Sequence, residues 1–231
     1  LIKQTFMKFG LIREGKIPAD KRVVFSPTAL TKFKEKYNEA ELLVESSEIR
    51  VFPDESYENA GFEVTTDISS CDVLFGVKEV PVENLIPNKT YFFFSHTIKK
   101  QPYNKKLLQA CLSKNITLID HETLVDDKNI RLIGFGRYAG IVGAYNTFRA
   151  FGIKYDLFNL VKAEKLASQK ELVERLKKPF LPPIKIVLTG TGKVGMGAKE
   201  MLDAMALKQI SIENFLEKDY DEPVYVQLDV Q

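Results

Sequence analysis

One stretch constrains the fold of this chain more than any other. The run Ile184-Lys185-Ile186-Val187-Leu188-Thr189 opens directly into Gly190-Thr191-Gly192-Lys193-Val194-Gly195, and then into a segment with Val194, Ala198, Met201, Leu202 and Met205 at helical spacing. A G-x-G-x-x-G motif is weak alone. Between a β-branched strand and an amphipathic helix it has a physical meaning: glycines allow the tight turn and the close approach of a pyrophosphate, and the helix N-terminus offers backbone donors to an anion. Gly190, Thr191, Gly192, Lys193, Val194 and Gly195 are therefore expected to bind a dinucleotide, NAD or NADP. The acid that holds the adenosine ribose is expected about 20 residues further on. Glu213, after an expected strand at 209–212, is the nearest candidate, and a solvated loop acid is an equally good reading of it.

Upstream, short apolar runs alternate with helix-patterned segments, the mark of a mostly parallel sheet covered by helices, so the fold class is α/β. Strands are expected at 8–12, 40–44, 72–77, 90–95, 116–119 and 131–133. Crossover helices are expected at 28–38, with Leu30, Phe33 and Tyr37 in phase, and at 103–113, with Leu107, Leu108, Cys111 and Leu112. From Gly136 onward Ala139, Gly140, Gly143 and Ala144 predict a helix that approaches its neighbours closely. A second helical stretch is expected at 156–177. It runs into Lys178-Pro179-Phe180-Leu181-Pro182-Pro183, which cannot continue a helix and reads as a linker and domain boundary.

The organisation expected is a substrate-binding α/β domain over 7–135, a helical connection and Pro-rich linker over 136–183, and the first part of a Rossmann-type domain over 184–231. A whole dinucleotide-binding domain takes well over ~100 residues, whereas 48 remain from Ile184 to Gln231. The final run, 224–230, reads as a strand. The chain is thus expected to be a fragment, with its cofactor lobe truncated.

Charge excludes one class of partner. With 33 Lys+Arg against 31 Asp+Glu the formal net charge is +2, which supplies no basic field for nucleic acid. Cys71 and Cys111 have no metal-ligand or disulfide-framework spacing, so no metal is expected and a reducing, cytoplasmic setting is. No apolar run approaches the ~20 residues of a membrane span. The first residues lack a signal-peptide pattern, and Met7 reads as the original start.

In open α/β sheets ligands bind outside the carboxyl ends of the strands. There the sequence places Lys78-Glu79 after Val73-Leu74-Phe75-Gly76-Val77, His96 after Tyr91-Phe92-Phe93-Phe94-Ser95, and Asp120-His121-Glu122 after Ile116-Thr117-Leu118-Ile119. A lysine beside an apolar strand end and a histidine suit proton transfers at a carbonyl or imine carbon. The bland readings are an exposed Lys78 paired with Glu79, and histidines satisfied by backbone groups in turns, the favoured reading for His121. Arg22, after the first strand, has the shape to grip a carboxylate. Of Lys99 and Lys100, one is expected to be merely solvated.

Three blocks carry a resemblance. Lys89-Thr90-Tyr91-Phe92-Phe93-Phe94-Ser95-His96-Thr97-Ile98-Lys99, the run from Gly134 through Gly136-Arg137-Tyr138-Ala139-Gly140 to Gly143, and Leu188-Thr189-Gly190-Thr191-Gly192-Lys193-Val194 closely resemble lysine-ketoglutarate reductase, the lysine-forming saccharopine dehydrogenase. The first and last resemble the reductase half of the animal and plant bifunctional enzymes. A broader frame, Arg22-Val23 with Ser26-Pro27, Val77-Lys78-Glu79 and His96, is similar to alanine dehydrogenase and the transhydrogenase α subunit. The likeness runs from Met7 to about Ala204 and then fades. It implies a two-lobed fold and reduction by NAD(P)H of the imine formed from lysine and 2-oxoglutarate. It also implies Lys78 and His96 as acid/base pair, with Arg22, Lys99, Glu122 and Arg131 near the substrate. Partners would be amino-acid and 2-oxo-acid substrates, with a homo-oligomer compatible but not fixed. Alanine dehydrogenase-like amination of pyruvate and a non-catalytic nucleotide-binding module are the alternatives. Lys99 argues against the former, as a cation that a monocarboxylate substrate has less use for.

Overall fold

The computed structural model describes residues 7–229, divided between two compact units, Leu1–Gly134 and Phe135–Gln231. In the first unit the strands are β1 (Lys8–Leu11), β2 (Glu41–Glu45), β3 (Glu63–Thr65), β4 (Val73–Phe75), β5 (Thr90–Phe93) and β6 (Thr117–Asp120). Among the described residues these form one sheet in the order β3-β2-β1-β4-β5-β6, with every pairing parallel. That is the doubly wound order, in which the direction of winding reverses between β1 and β4 and leaves a crevice at their carboxyl ends.

Both sheet faces are covered. Leu43 and Val44 are neighbours on β2 yet join different clusters, as alternating side chains must. One cluster holds Leu11, Val44 and Phe62 with Leu30 of α1 (Pro27–Lys36) and Tyr57 of α2 (Asp54–Glu58). The other holds Leu74, Tyr91 and Phe93 with Leu107 and Cys111 of α3 (Lys105–Ser113), and also contains the second free cysteine, Cys71. Helix α1 starts where chemistry places it: Ser26 Oγ accepts from Ala29 N–H at 3.2 Å and Pro27 occupies the first turn.

Two expectations for this unit need correcting. The strand β3 was not anticipated, since Glu63-Val64-Thr65 is too short and too polar to stand out. The strand expected at 131–133 is absent. Asp126 Oδ1 accepts from Lys128 and Ile130 N–H, closing a turn, and Arg131 pairs with Val125 in an isolated antiparallel bridge rather than a strand.

The second unit comprises α4 (Gly136–Lys154), α5 (Gln169–Leu176), β7 (Lys185–Thr189), α6 (Lys193–Ala204), β8 (Lys208–Gln209), α7 (Ile212–Glu217) and β9 (Val224–Leu228), with a parallel sheet ordered β7-β9-β8. The expected helix over 156–177 shrinks to α5. Helix α4 ends with Leu157 N–H donating to Gly152 O, and a Cβ on Gly152 would lie 2.4 Å from Phe158, so the chain doubles back there. The proline run is not a boundary between compact units. Leu172, Leu176 and Leu181 share one core with Ile141, Tyr145, Phe148, Met201 and Tyr225, from both sides of it. The strand expected at 209–212 is the two-residue β8, and Val230 lies outside the described residues. No helix among the described residues is long and apolar enough to cross a membrane.

Helices α4 and α6 touch backbone to backbone. A Cβ on Gly140 would stand 2.0 Å from Val194 O, and one on Gly197 would stand 2.0 Å from Arg137 O, so these glycines are required by contact. Gly143, expected in the same role, faces open space. Gly140→Ala should therefore cost roughly 3 kcal/mol of stability, while Gly143→Ala should add about 0.5–1 kcal/mol from helix propensity. Urea denaturation of the two variants checks both signs.

His121, just after β6, is buried with its Nε2–H donating to Gly76 O at 3.0 Å and its ring edge-on to Phe94. Its Nδ1 has no partner among the described residues, so a proton there would meet no acceptor, and burial lowers its pKa. The unfolded chain then takes up the proton first. Stability should be full above the ordinary histidine range and fall as pH drops below about 6.5. His121→Phe should flatten that part of the profile in thermal melts between neutral and mildly acidic pH.

Candidate active site and dinucleotide turn

Parallel pairing sets every strand of the first unit with its carboxyl end at one edge, and the ionisable residues cluster there in two groups. The first occupies the β1/β4 crevice. Glu14, three residues past β1, is 8% exposed, and its carboxylate accepts from Val77 N–H (2.7 Å) and Lys78 N–H (2.8 Å). Burial raises its pKa against the lowering effect of those two amides. Arg22 grips Asp20 two-pronged, Nε to Oδ1 at 2.9 Å and Nη2 to Oδ2 at 2.5 Å, and the hydrogen bonds from Arg22 hold the Asp20 carboxyl below its usual range. This edge of the guanidinium, expected to reach a substrate carboxylate, is thus spent on an acid of its own loop. Lys78 is half-buried, and its charge is felt at Asp20. Glu79 pairs with Lys16 at 3.0 Å, so the bland reading of Lys78 as Glu79's partner is not what the structure contains.

The second group surrounds Glu122, after β6. His96 Nδ1 lies 2.9 Å from Glu122 Oε2, while Lys99 Nζ and Arg131 Nη2 lie 3.1 Å and 3.3 Å from Oε1. Burial works to raise the Glu122 carboxyl, but the hydrogen bonds from His96 and Lys99 outweigh it and hold it below the usual range. A carboxylate only accepts, so Nδ1 is the protonated nitrogen of a neutral His96 and Nε2 the one able to take a proton. His96 sits at φ +57, a left-handed turn that ends β5 and carries the following Thr97–Lys99 helical turn over the sheet edge. Ser95 Oγ donates to Asp120 Oδ2 at 2.5 Å, tying the ends of β5 and β6 together beneath it. Lys100 is exposed.

The two groups lie on neighbouring backbones. Phe75 pairs with Phe92, and Phe94 N–H donates to Val77 O at 3.0 Å, so Lys78 and His96 follow adjacent strand ends about one residue apart in register. Sequence reasoning named Asp120 among the strand-end residues but missed Glu14 and Asp20 as members of the site. For Glu14 the available signal was the same as for Lys78, a charged residue within three positions of an apolar strand end; Asp20, nine positions past β1, carries no such signal.

In the second unit the turn after β7 has the features a pyrophosphate cradle needs. Gly190 has φ +89 and donates its N–H to Leu228 O (2.7 Å). A Cβ on Gly195 would stand 2.1 Å from Gly190 O, so the first turn of α6 can close on the loop only with glycine there. Gly192 precedes α6, and a Cβ on it would meet nothing within 4 Å, leaving its backbone open to a ligand. Thr191 Oγ1 donates to Asp229 Oδ1 at 2.9 Å, and Lys193 and Val194 begin α6. These residues fit a dinucleotide. The acid at the end of the strand beside β7 is Asp229, after β9. Glu213 lies instead on the first turn of α7, beyond β8, which β9 separates from β7.

Comparisons with known proteins place this geometry in context. The family model "Alanine dehydrogenase/PNT, N-terminal domain" matches residues 10–142. Alpha-aminoadipic semialdehyde synthase, mitochondrial, of Bos taurus is 33% identical over 205 residues, covering 78% of this chain and 22% of that protein. Saccharopine dehydrogenase [NAD(+), L-lysine-forming] of Yarrowia lipolytica is 27% identical over 232 residues, covering 94% of this chain and 61% of that one. Among solved structures, an L-alanine dehydrogenase superposes with a TM-score of 0.62 at 18% identity, over 96% of this chain and 61% of that chain. The chain thus spans about a fifth of the bovine relative and about three fifths of the yeast one. With a parallel sheet of the same fold and a family match over more than half its length, the chain belongs to the alanine dehydrogenase/PNT N-terminal domain family.

Proposed function

We propose that this chain contributes to a pyridine-nucleotide-dependent oxidoreductase that joins L-lysine and 2-oxoglutarate by reducing their imine to saccharopine, or runs the reverse. In this reading residues 7–135 form the substrate side, and the strand, turn and helix from Ile184 begin the dinucleotide-binding lobe. The observation that carries it is the cluster in which Glu122 holds His96, Lys99 and Arg131 within 3.3 Å, beside the strand end that bears Lys78.

The residues divide the work by their chemistry. Lys78 and His96 are the acid/base pair: His96 Nε2 takes or returns a proton while Glu122 fixes the ring through Nδ1, and Lys78 exchanges a proton at the carbonyl or imine nitrogen. Arg22, Lys99 and Arg131 bind carboxylates. Glu122 keeps two of these cations in place and offers a countercharge to an amine. Gly190, Thr191, Gly192, Lys193, Val194 and Gly195 would hold the pyrophosphate, and the nicotinamide supplies hydride when bound.

Between NAD and NADP, Asp229 favours NAD. An acid at the end of the strand adjoining the glycine turn hydrogen-bonds a ribose 2′-hydroxyl and repels a 2′-phosphate, and the Yarrowia relative is named for NAD(+). Lysine as substrate is favoured over alanine by the second cation beside Glu122, for which pyruvate has less use.

Lys78→Met should lower turnover by a factor of about 10² to 10⁴ while leaving dinucleotide affinity nearly unchanged. NADH oxidation with lysine and 2-oxoglutarate measures it, and unaltered turnover would remove Lys78 from the chemistry. Consumption with pyruvate and ammonia instead would move the substrate assignment to alanine. Asp229→Ser should shift the NADPH-to-NADH affinity ratio towards NADPH by about tenfold or more, the worth of a charged hydrogen bond lost and a repulsion relieved. A fluorescence titration giving the same ratio would withdraw the ribose assignment.

A further inference from the structure

Where β1 and β4 part, the ladder between them is finished by a side chain. Ile12 N–H still donates to Phe75 O at 3.0 Å, and Gly76 N–H turns to the other neighbour, Phe92 O, at 2.8 Å. The next two amides, those of Val77 and Lys78, both go to one acceptor, the Glu14 carboxylate, at 2.7 Å to Oε1 and 2.8 Å to Oε2. Successive N–H groups of a regular strand point to opposite neighbours. Two that converge on one carboxylate require the chain to bend between them, so the bend at the end of β4 is set by Glu14. Gly76 makes room for the approach: a Cβ there would lie 2.7 Å from Ile12 Cδ1 and 3.7 Å from Glu14 Oε1. Asp20 and Arg22 are the charged groups felt at Glu14 besides those amides.

We propose that Glu14 is the positioning residue for Lys78: by clamping two consecutive amides it sets the direction in which the lysine leaves the sheet. Calling the role positioning rests on the acid/base assignment of Lys78. The clamp itself is a statement about the amides, and is measured separately.

Two measurements on this 231-residue chain test it. In the unmodified protein the Val77 and Lys78 amides should be protected from hydrogen exchange, although they lie beyond the last strand residue; exchange at the rate of open loops would end the proposal. In Glu14→Gln the same two amides should exchange more than tenfold faster, with Phe75 unchanged. Competitive acetylation at a single pH should then show the labelling rate of Lys78 changing severalfold, because its backbone is no longer held, while Lys36 keeps its rate as a control. Glu14→Asp, which shortens the reach of the same carboxylate, should also speed exchange at both amides, and it covers the case in which the glutamine variant does not fold. A Lys78 labelling rate identical in the Gln variant and the unmodified chain would overturn the positioning role. If these results hold while Lys78→Met leaves turnover intact, the clamp stands and the acid/base reading falls. The opposite pair of outcomes removes the clamp and keeps the chemistry.

Discussion

Parallel strands can be joined only by crossovers, and that constraint brings Glu14, Arg22, Lys78, His96 and Glu122 to one edge of one sheet. Each connection returns the chain to the amino-terminal edge before the next strand begins, so every strand in the order β3-β2-β1-β4-β5-β6 delivers its following residues to the same side. The reversal of winding between β1 and β4 then opens a gap in the helical cover at that edge. Nothing about Glu14 or Lys78 taken alone marks a site. Their placement on the two strands flanking the reversal does, and it follows from topology.

At that edge the carboxylates are the organising groups. Glu14 replaces a missing stretch of ladder, Asp20 fixes the plane of Arg22, Asp120 ties the ends of β5 and β6 through Ser95, and Glu122 gathers His96, Lys99 and Arg131. Arg22, His96, Lys99 and Arg131 are each thus oriented by an acid that also offsets part of the charge of the cations. Long flexible side chains held this way lose less freedom when a substrate arrives, which is the advantage of preorganisation. The opposite directions of the Glu14 and Glu122 shifts follow from their partners. Amides alone do not offset the desolvation of Glu14, whereas His96 and Lys99 more than offset that of Glu122.

The elements legible in the sequence were β1, β2, β4, β5, β6, β7, β9, α1, α3, α4 and α6, whose apolar runs, helical spacing or small-residue pattern stand out locally. The three-residue β3 was not legible because its pairing partner, β2, supplies most of what stabilises it. The helix expected over 156–177 was misread because amphipathic spacing persists through a region where Gly152 and Phe158 turn the chain back on itself, a tertiary event with no local signature. The prolines at 179–183 do break the helix, but breaking a helix does not separate two cores, and Leu181 is buried in the core that spans them. In the site, Lys78, His96 and Glu122 could be found from strand ends. Glu14 and Asp20 could not be ranked above other loop acids until the amides and the guanidinium they hold were seen.

The acid proposed above for the ribose shows the same limit from another side. Spacing from the glycine turn pointed to Glu213, because the next strand of a dinucleotide fold is expected after one helix. Here the short β8 and α7 intervene, so the strand that pairs with β7 is β9, and the acid at its end stands 38 positions from Thr191 yet within 2.9 Å of it. What is kept is the position beside the turn at the end of the adjoining strand, since only there can a carboxylate reach a ribose whose pyrophosphate lies on the α6 N-terminus. Counting residues substitutes for that geometry only while the intervening connection has its usual length. An insertion changes the count and leaves the chemistry where strand pairing puts it.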